Sequence, residues 1–323
     1  MTTVDVETGA RLHFGFQNLS LAHERLYGGI GAGLATPTIR LSAAPAEGIR
    51  CDDAAVEPYL HDVVEVLGVD GVDLTVDDRF ERHVGLGSGT QLALAVLVAT
   101  ARAHNQTVDP RTLAPELGRG GRSGVGVGTF ESGGFVADVG HPTERFTTAP
   151  PGPGSWTVPN PINTWTLPDS WRFVVVTPDA EQGQSGEAED ESIRSIVERA
   201  DAGIADDIAT LLTRRLLPAV AEGNLAAFGA AVARLGRLNG AWFADEQGGV
   251  YRPPAGALID HLDSSPAIVG AGQSSWGPTV YGVTDEQRGE QAVERAEDAL
   301  DEVGVRGTVR LVTPSESGAE VRD

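Results

Sequence analysis

Lysine does not occur in the 323 residues, so all 24 basic side chains are arginine. That absence removes the G-x-x-x-x-G-K-[ST] phosphate loop, whose lysine reaches the β- and γ-phosphates. Cysteine is nearly absent as well. Cys51 stands alone, so no disulfide can form within the chain and no thiolate pair can hold zinc. No strict G-x-G-x-x-G is present, which excludes a dinucleotide fingerprint. No serine sits in G-x-S-x-G, and Tyr27 occupies the place where His23-Glu24 would need a second histidine for a zinc protease helix. Long apolar runs are lacking too. The longest, residues 92–101, is broken by Thr100 and is too short to cross a bilayer. Met1 is followed by Thr2, Thr3, Val4 and Asp5, with no signal-peptide core, so the expected location is cytoplasmic, with no membrane partner.

What is abundant is acid. Aspartate and glutamate number 46, for a formal charge of −22. Such a charge keeps a chain soluble while repelling the compact state, a balance tolerated in concentrated salt. With arginine replacing the more strongly hydrated lysine, the composition resembles that of proteins from salt-in halophilic archaea. It also disfavours nucleic acid as a partner, because phosphate backbones require clustered positive charge. A hydrophobic fraction of 41% is ample for a core, and the length favours two domains over one.

Hydrophobic spacing outlines the elements. Residues 4–17 read as a strand, 28–33 as a glycine-rich turn, and 38–43 as a second strand. Residues 56–67 repeat apolar side chains at helical spacing, and 72–76 alternate as a strand. Residues 89–104 form a helix apolar nearly all round, and therefore buried. Asp109-Pro110 opens a short helix. Residues 130–139 read as a strand pair around Ser132-Gly133-Gly134. Residues 150–169, rich in proline and glycine, mark a junction between domains 1–165 and 166–323. Beyond it come a strand at 171–177, an acidic loop at 179–191, and helices near 193–198, 206–221, 224–243 and 258–262. A strand–turn–strand at 267–283, a helix at 287–303 and a strand at 307–312 finish the chain. Strands and helices mix without regular alternation, which argues an α+β fold.

Three glycine-rich segments carry the chemistry. Gly85-Leu86-Gly87-Ser88-Gly89-Thr90-Gln91 directly precedes the buried helix, so its backbone can approach an anion at the positive end of a helix dipole. Phosphate can bind there without lysine, and Arg79, Arg82 and His83 lie just upstream. Residues 118–131 place Arg119 and Arg122 among six glycines, a setting suited to bidentate contacts with carboxylate or phosphate. Residues 270–279 carry Gln273, Ser274, Ser275 and Trp276 around a further glycine turn, and Trp276 can stack on a planar ligand.

Together these segments resemble the GHMP superfamily, over nearly the whole chain. The resemblance implies a two-domain fold: a ribosomal-S5-domain-2-like N-terminal domain and a ferredoxin-like C-terminal domain. GHMP kinases of the mevalonate kinase type usually read Ser-Gly-Ile/Val-Asp where this chain has Ser123-Gly124-Val125-Gly126, and the aspartate serves in phosphoryl transfer. Glycine can neither accept a proton nor steer a hydroxyl.

The stretches Arg11-Leu12-His13, Gly28-Gly29-Ile30-Gly31, His83 through Leu94, Gly118 through Gly128 and Gln273 through Thr279 resemble a non-kinase branch, the β-ribofuranosylaminobenzene 5′-phosphate synthase family. That resemblance implies phosphoribosyl pyrophosphate and 4-hydroxybenzoate or 4-aminobenzoate as substrates. The products would be a C-riboside 5′-phosphate, carbon dioxide and pyrophosphate, in methanopterin-type pterin biosynthesis. It also implies a homodimer. On this reading the glycine loop binds a phosphate group, and Arg119, Arg122, His13 and Arg11 form the catalytic set. Gln273, Ser274, Ser275 and Trp276 close the substrate site. Mg²⁺ is the expected cofactor, bridging pyrophosphate oxygens, with Glu131 and Asp138 as candidate ligands. The alternative is an ATP- and Mg²⁺-dependent GHMP small-molecule kinase that has moved its catalytic acid elsewhere.

Overall fold

The computed structural model describes residues 3–146, 152–181 and 187–322. Alternating burial makes residues 4–18 the first strand, β1 (Val4–Asn18). There follow β2 (Arg25–Pro45), β3 (Gly48–Cys51), α1 (Glu57–Leu67), β4 (Gly71–Asp78), α2 (Ser88–Ala103), α3 (Pro110–Leu113), α4 (Val125–Ser132), β5 (Phe135–Asp138), β6 (His141–Pro142) and β7 (Pro161–Trp165). The second half holds β8 (Trp171–Pro178), α5 (Glu187–Arg199), α6 (Ala202–Leu211), a π-helical turn (Leu212–Leu216), α7 (Leu217–Ala221) and α8 (Leu225–Gln247). It ends with α9 (Ala255–Asp263), β9 (Gly270–Gln273), β10 (Val280–Asp285), α10 (Gly289–Val303), β11 (Gly307–Val312) and β12 (Glu320–Arg322).

Two sheets organise these elements. The first runs β12-β1-β2-β4-β3, with β5 and β6 also paired to β2, and β7 to β5. The second runs β11-β8-β10-β9, all antiparallel. The α+β expectation holds. The final strand, β12, returns to pair with β1, so the end of the chain is tied back to the first sheet.

Three local readings are corrected. Residues 28–33 are not a turn but lie within the 21-residue strand β2. Their glycines let α4 and the loop before it press against the sheet: a Cβ on Gly29 would fall 1.9 Å from Ser123 Oγ, and one on Gly31 2.5 Å from Val125 Cγ1. Residues 130–132 are not strand but the end of α4, which stops at Gly133 and Gly134, both at positive φ, before β5 begins. The acidic stretch 187–191 is the start of α5 rather than loop. Residues 182–186 of that expected loop, and residues 150 and 151 of the expected junction, lie outside the described residues.

The core joins the two sheets. Phe14 of β1 meets Tyr281 of β10 at 5.1 Å and Phe228 of α8 at 5.9 Å between ring centroids. Such aromatic packing adds about 0.5–1.5 kcal/mol per pair beyond burial. Side chains alternate along a strand, so anchoring Phe14 in this core sends its neighbour His13 to the opposite face. Helix α2, buried along almost its whole length, lies against β1 and β2 and aims its N-terminus at that same face. Among the described residues, no helix is long and apolar enough to cross a membrane.

Candidate active site

A cleft of about 1460 Å³ opens where β1, the α2 N-terminus, residues 118–123, the start of α5, α8 and residues 273–277 converge. Its first wall is the glycine loop. Gly85 and Gly87 take φ of +95° and +81°, the left-handed region that favours glycine. Gly87 caps α2 with no side-chain hydrogen bond. The first backbone N–H groups of the helix therefore stay available to an anion.

Arg11 braces this loop. Its Nη1 donates to the Gly85 carbonyl at 2.8 Å, and its backbone N–H donates to the Leu86 carbonyl at 3.0 Å. Burial lowers the guanidinium to about 10, partly opposed by the Glu189 carboxylate, so Arg11 stays charged at neutral pH. Arg119 and Arg82 complete the cationic end. Each sits over the Tyr59 ring, 5.4 Å from its centroid. Among the described residues neither forms an ion pair with a carboxylate, and the Nε of each is buried without a partner. Trp156 fastens the Arg119 segment by donating from Nε1 to the Arg119 carbonyl at 2.9 Å.

His13 stands in the middle. Its Nε2 lies 3.2 Å from Ser123 Oγ, and its ring packs edge-on to Phe16 at 5.0 Å. Burial, then the Arg11 charge, lowers its pKa to about 3, so the imidazole is neutral. The third glycine segment reaches this point from across the molecule. Ser274 Oγ accepts from the His13 N–H at 3.0 Å and donates to the Gly85 carbonyl at 2.8 Å. Asn239 of α8 exchanges hydrogen bonds with both backbone groups of Phe16, at 2.7 and 3.0 Å. Tyr27, Phe16, Phe243 and Trp276 supply aromatic surface to the cleft.

Arg122 pairs with Asp190 and, at 3.1 Å, with Glu189, both on α5. Arg194 of α5 stacks over Phe146 at 5.1 Å. His141 borders the cleft, its Nε2 buried and unpartnered, and burial lowers its pKa to about 4.

Most residues expected at the site line this cleft: Arg11, His13, Gly85, Gly87, Ser88, Gly89, Thr90, Arg119, Arg122, Gln273, Ser275 and Trp276. Their roles differ from the expectation in several places. Gln91 points away from the cleft, accepting from Thr8 at 2.7 Å and donating to the Gly126 carbonyl at 2.8 Å, and Leu86 is buried beside it. Ser274 is consumed by the two backbone bonds that join the glycine segments. Gln273 accepts from the Arg252 N–H at 2.9 Å and donates to the Ser275 carbonyl at 3.0 Å. Arg119 stacks over Tyr59 while Arg122 is paired with Glu189 and Asp190, so the two do not act as one pair.

The expected metal ligands are corrected most sharply, because neither Glu131 nor Asp138 lines the cleft. Glu131 is held by Arg111. Asp138 accepts backbone N–H bonds from Gly29, Gly124 and Gly140 at 2.8, 2.7 and 2.9 Å. A carboxylate surrounded by donors has its lone pairs occupied, and Asp138 works as the pin that holds β2, the 118–124 loop and the β5–β6 turn together. Gly126 lies opposite Thr90: a Cβ there would meet Thr90 Cγ2 at 3.0 Å. Sequence reading passed over Tyr59, Trp156 and Asn239. Only Asn239 left a trace, as a polar residue inside the apolar stripe of α8.

With this geometry the comparisons with known proteins acquire meaning. Residues 54–134 match the GHMP kinases N terminal domain family, and residues 216–302 match GHMP kinases C terminal. The chain is 33% identical to a β-ribofuranosylphenol 5′-phosphate synthase from Methanothermobacter thermautotrophicus, over 90% of this chain and 92% of that one. It belongs to the β-ribofuranosylphenol 5′-phosphate synthase family. A family member from Methanocaldococcus jannaschii is 30% identical over 98% of this chain and 99% of its own. The family shares its fold with mevalonate pyrophosphate decarboxylase from Streptococcus pyogenes, at a TM-score of 0.69, 11% identity and coverage of 98% and 97%.

The buried histidines predict how stability responds to acid. Unfolded histidine titrates near 6.5, whereas folded His13 and His141 hold off protons until about 3 and about 4. Below pH 6.5 the unfolded chain binds more protons at these two sites, so their contribution is full above 6.5 and is lost as pH falls. Asp138, raised by burial to about 6 from 3.8, acts oppositely, since the folded state takes that proton first. Two groups against one leave a net loss on acidification, steepest between about pH 6 and 5. The stability lost between pH 7 and 5 in urea unfolding should shrink when His13→Gln and His141→Gln are combined. An unchanged pH slope in that double variant would contradict neutral burial.

Proposed function

We propose that the chain transfers a phosphoribosyl group from phosphoribosyl pyrophosphate to 4-hydroxybenzoate with loss of the carboxylate. The observation that carries this reading is the open α2 N-terminus with Arg11, Arg82 and Arg119 around it, in a chain of net charge −22 whose site has glycine at position 126. The relatives' name supports a phenol over an aniline as product, and hence 4-hydroxybenzoate over 4-aminobenzoate as acceptor.

The C1–oxygen bond of the ribose breaks and both electrons leave with pyrophosphate. The ring carbon bearing the carboxylate bonds to C1. Carbon dioxide then departs, its bonding pair restoring the aromatic ring. The phosphates are received by fixed positive groups that need no reorganisation. The two arginine groups of the cleft, one around α2 and the other comprising Arg122, Arg145 and Arg194, suit a donor with phosphate at both ends. His13 stays uncharged, so it does not oppose the positive charge that develops at C1. Phe16 and Tyr27 offer aromatic faces to the acceptor and help exclude the water that would intercept the ribosyl centre.

Among the described residues, no three His, Cys, Asp or Glu side chains cluster as a metal cage. Mg²⁺ fits here as a companion of the pyrophosphate, neutralising its charge while keeping few protein ligands. Glu189 and Asp190 are the carboxylates that line the cleft, and both are paired with Arg122, so the pyrophosphate itself would supply most of the ligands.

The test is incubation with phosphoribosyl pyrophosphate, Mg²⁺ and carboxyl-labelled 4-hydroxybenzoate in concentrated KCl. Labelled carbon dioxide should appear only when both substrates are present. Absence of release, together with ATP-dependent phosphorylation of an alcohol, would replace this reading with the kinase one.

A further inference from the structure

Tyr59 holds two arginines, Arg82 and Arg119, over its ring, with both guanidinium carbons 5.4 Å from the centroid. The tyrosine itself is 7% exposed and fixed in the core by α1. An aromatic face attracts cations, so the ring holds two like charges in place against their mutual repulsion. Arg82 has one hydrogen bond, from Nη1 to the Ala55 carbonyl at 3.4 Å, and the Nε atoms of Arg82 and Arg119 have none. These charges are left unpaired in a chain with almost twice as many acidic as basic side chains. Arg122, by contrast, is already neutralised by Glu189 and Asp190. The unpaired cluster is thus preorganised for the more highly charged end of the donor.

We propose that Tyr59 is a positioning residue that holds Arg82 and Arg119 as a clamp for the leaving pyrophosphate. The 5′-phosphate is left to the other arginines of the cleft, Arg122, Arg145 and Arg194. This orientation rests on the transfer reading above. It sends the electron pair of the breaking C1–oxygen bond to a pyrophosphate oxygen facing the clamp. The ring carbon then supplies the new bond from the opposite side of C1, and the pair released with carbon dioxide restores aromaticity. No proton acceptor or redox partner is required for the balance.

The experiment compares wild type, Tyr59→Leu, Tyr59→Phe and Arg82→Gln. Each is titrated calorimetrically with inorganic pyrophosphate and, separately, with ribose 5-phosphate, and KM is measured for donor and acceptor. Two lost cation–π contacts should weaken pyrophosphate binding about tenfold in Tyr59→Leu. Ribose 5-phosphate affinity and the acceptor KM should stay within about twofold by the same reasoning, while the donor KM rises. Tyr59→Phe, which keeps the ring, should restore most of the lost affinity. Arg82→Gln removes a cation without touching the core, so it gives the same selective loss even if Tyr59→Leu fails to fold. Pyrophosphate binding that matches wild type in Arg82→Gln, or an equal loss for ribose 5-phosphate, overturns the clamp. Selective pyrophosphate binding without any carbon dioxide release keeps the clamp and removes the transfer reading, so the two failures are separable.

Discussion

Arg11→Met should lower kcat/KM for the transfer by about 10²–10³-fold, the scale for losing one preorganised donor at a charged transition state. Three observations set that expectation. The guanidinium stays charged despite burial. It donates to the Gly85 carbonyl at 2.8 Å. It also lies directly beneath the α2 N-terminus, where a Cβ on Gly87 would meet Arg11 Cγ at 2.8 Å. The loop should stay docked in the variant, because Ser274 still donates to the same carbonyl. The thermal midpoint should therefore move little while activity collapses. Arg11→Lys should recover only part of the loss, since it restores a point charge without the planar fork. Wild-type turnover in Arg11→Met would remove this residue from the site.

The second large effect is on stability. Asp138→Ala should cost about 3 kcal/mol or more, because it orphans three buried backbone N–H groups at about 1–3 kcal/mol each. Those groups belong to β2, the loop before α4 and the turn after β5, so their loosening should also disorder Ser123 and the wall around His13. The loss should be the same in Mg²⁺ and in a chelator when read by denaturant unfolding. A ligand role would give the reverse pattern, with unchanged metal-free stability and a shifted Mg²⁺ requirement for activity. That outcome would return Asp138 to the metal site from which the structure removes it.

The difference between Asp138 as expected and Asp138 as found shows where linear reading stops. A lone acidic residue near a glycine-rich arginine segment reads as a ligand for something charged. The donors that occupy it come from Gly29, about a hundred residues earlier, and from Gly124 and Gly140, none with a side chain to announce the contact. The glycines of β2 misled for a related reason. Read locally they spell a turn, but their purpose is to leave room for Ser123 and Val125, which arrive from α4 and the loop before it.

The phosphate loop was legible because its physics is local. Glycine freedom at Gly85 and Gly87, followed at once by an apolar helix, places open amides at a dipole end regardless of what surrounds them. The absence of lysine, the single cysteine, the acidic excess and the glycine at position 126 likewise follow from the chain alone, and together they exclude most nucleotide-binding motifs. The α+β class and most helices followed from spacing, since a buried face repeats at the period of its element. Packing alone could bring Tyr59 of α1 against Arg82 and Arg119, set Ser274 as the link between two glycine segments, and tie up Arg122 with α5. Each of these depends on groups far apart in the chain, and a local pattern carries no record of which distant partner will arrive.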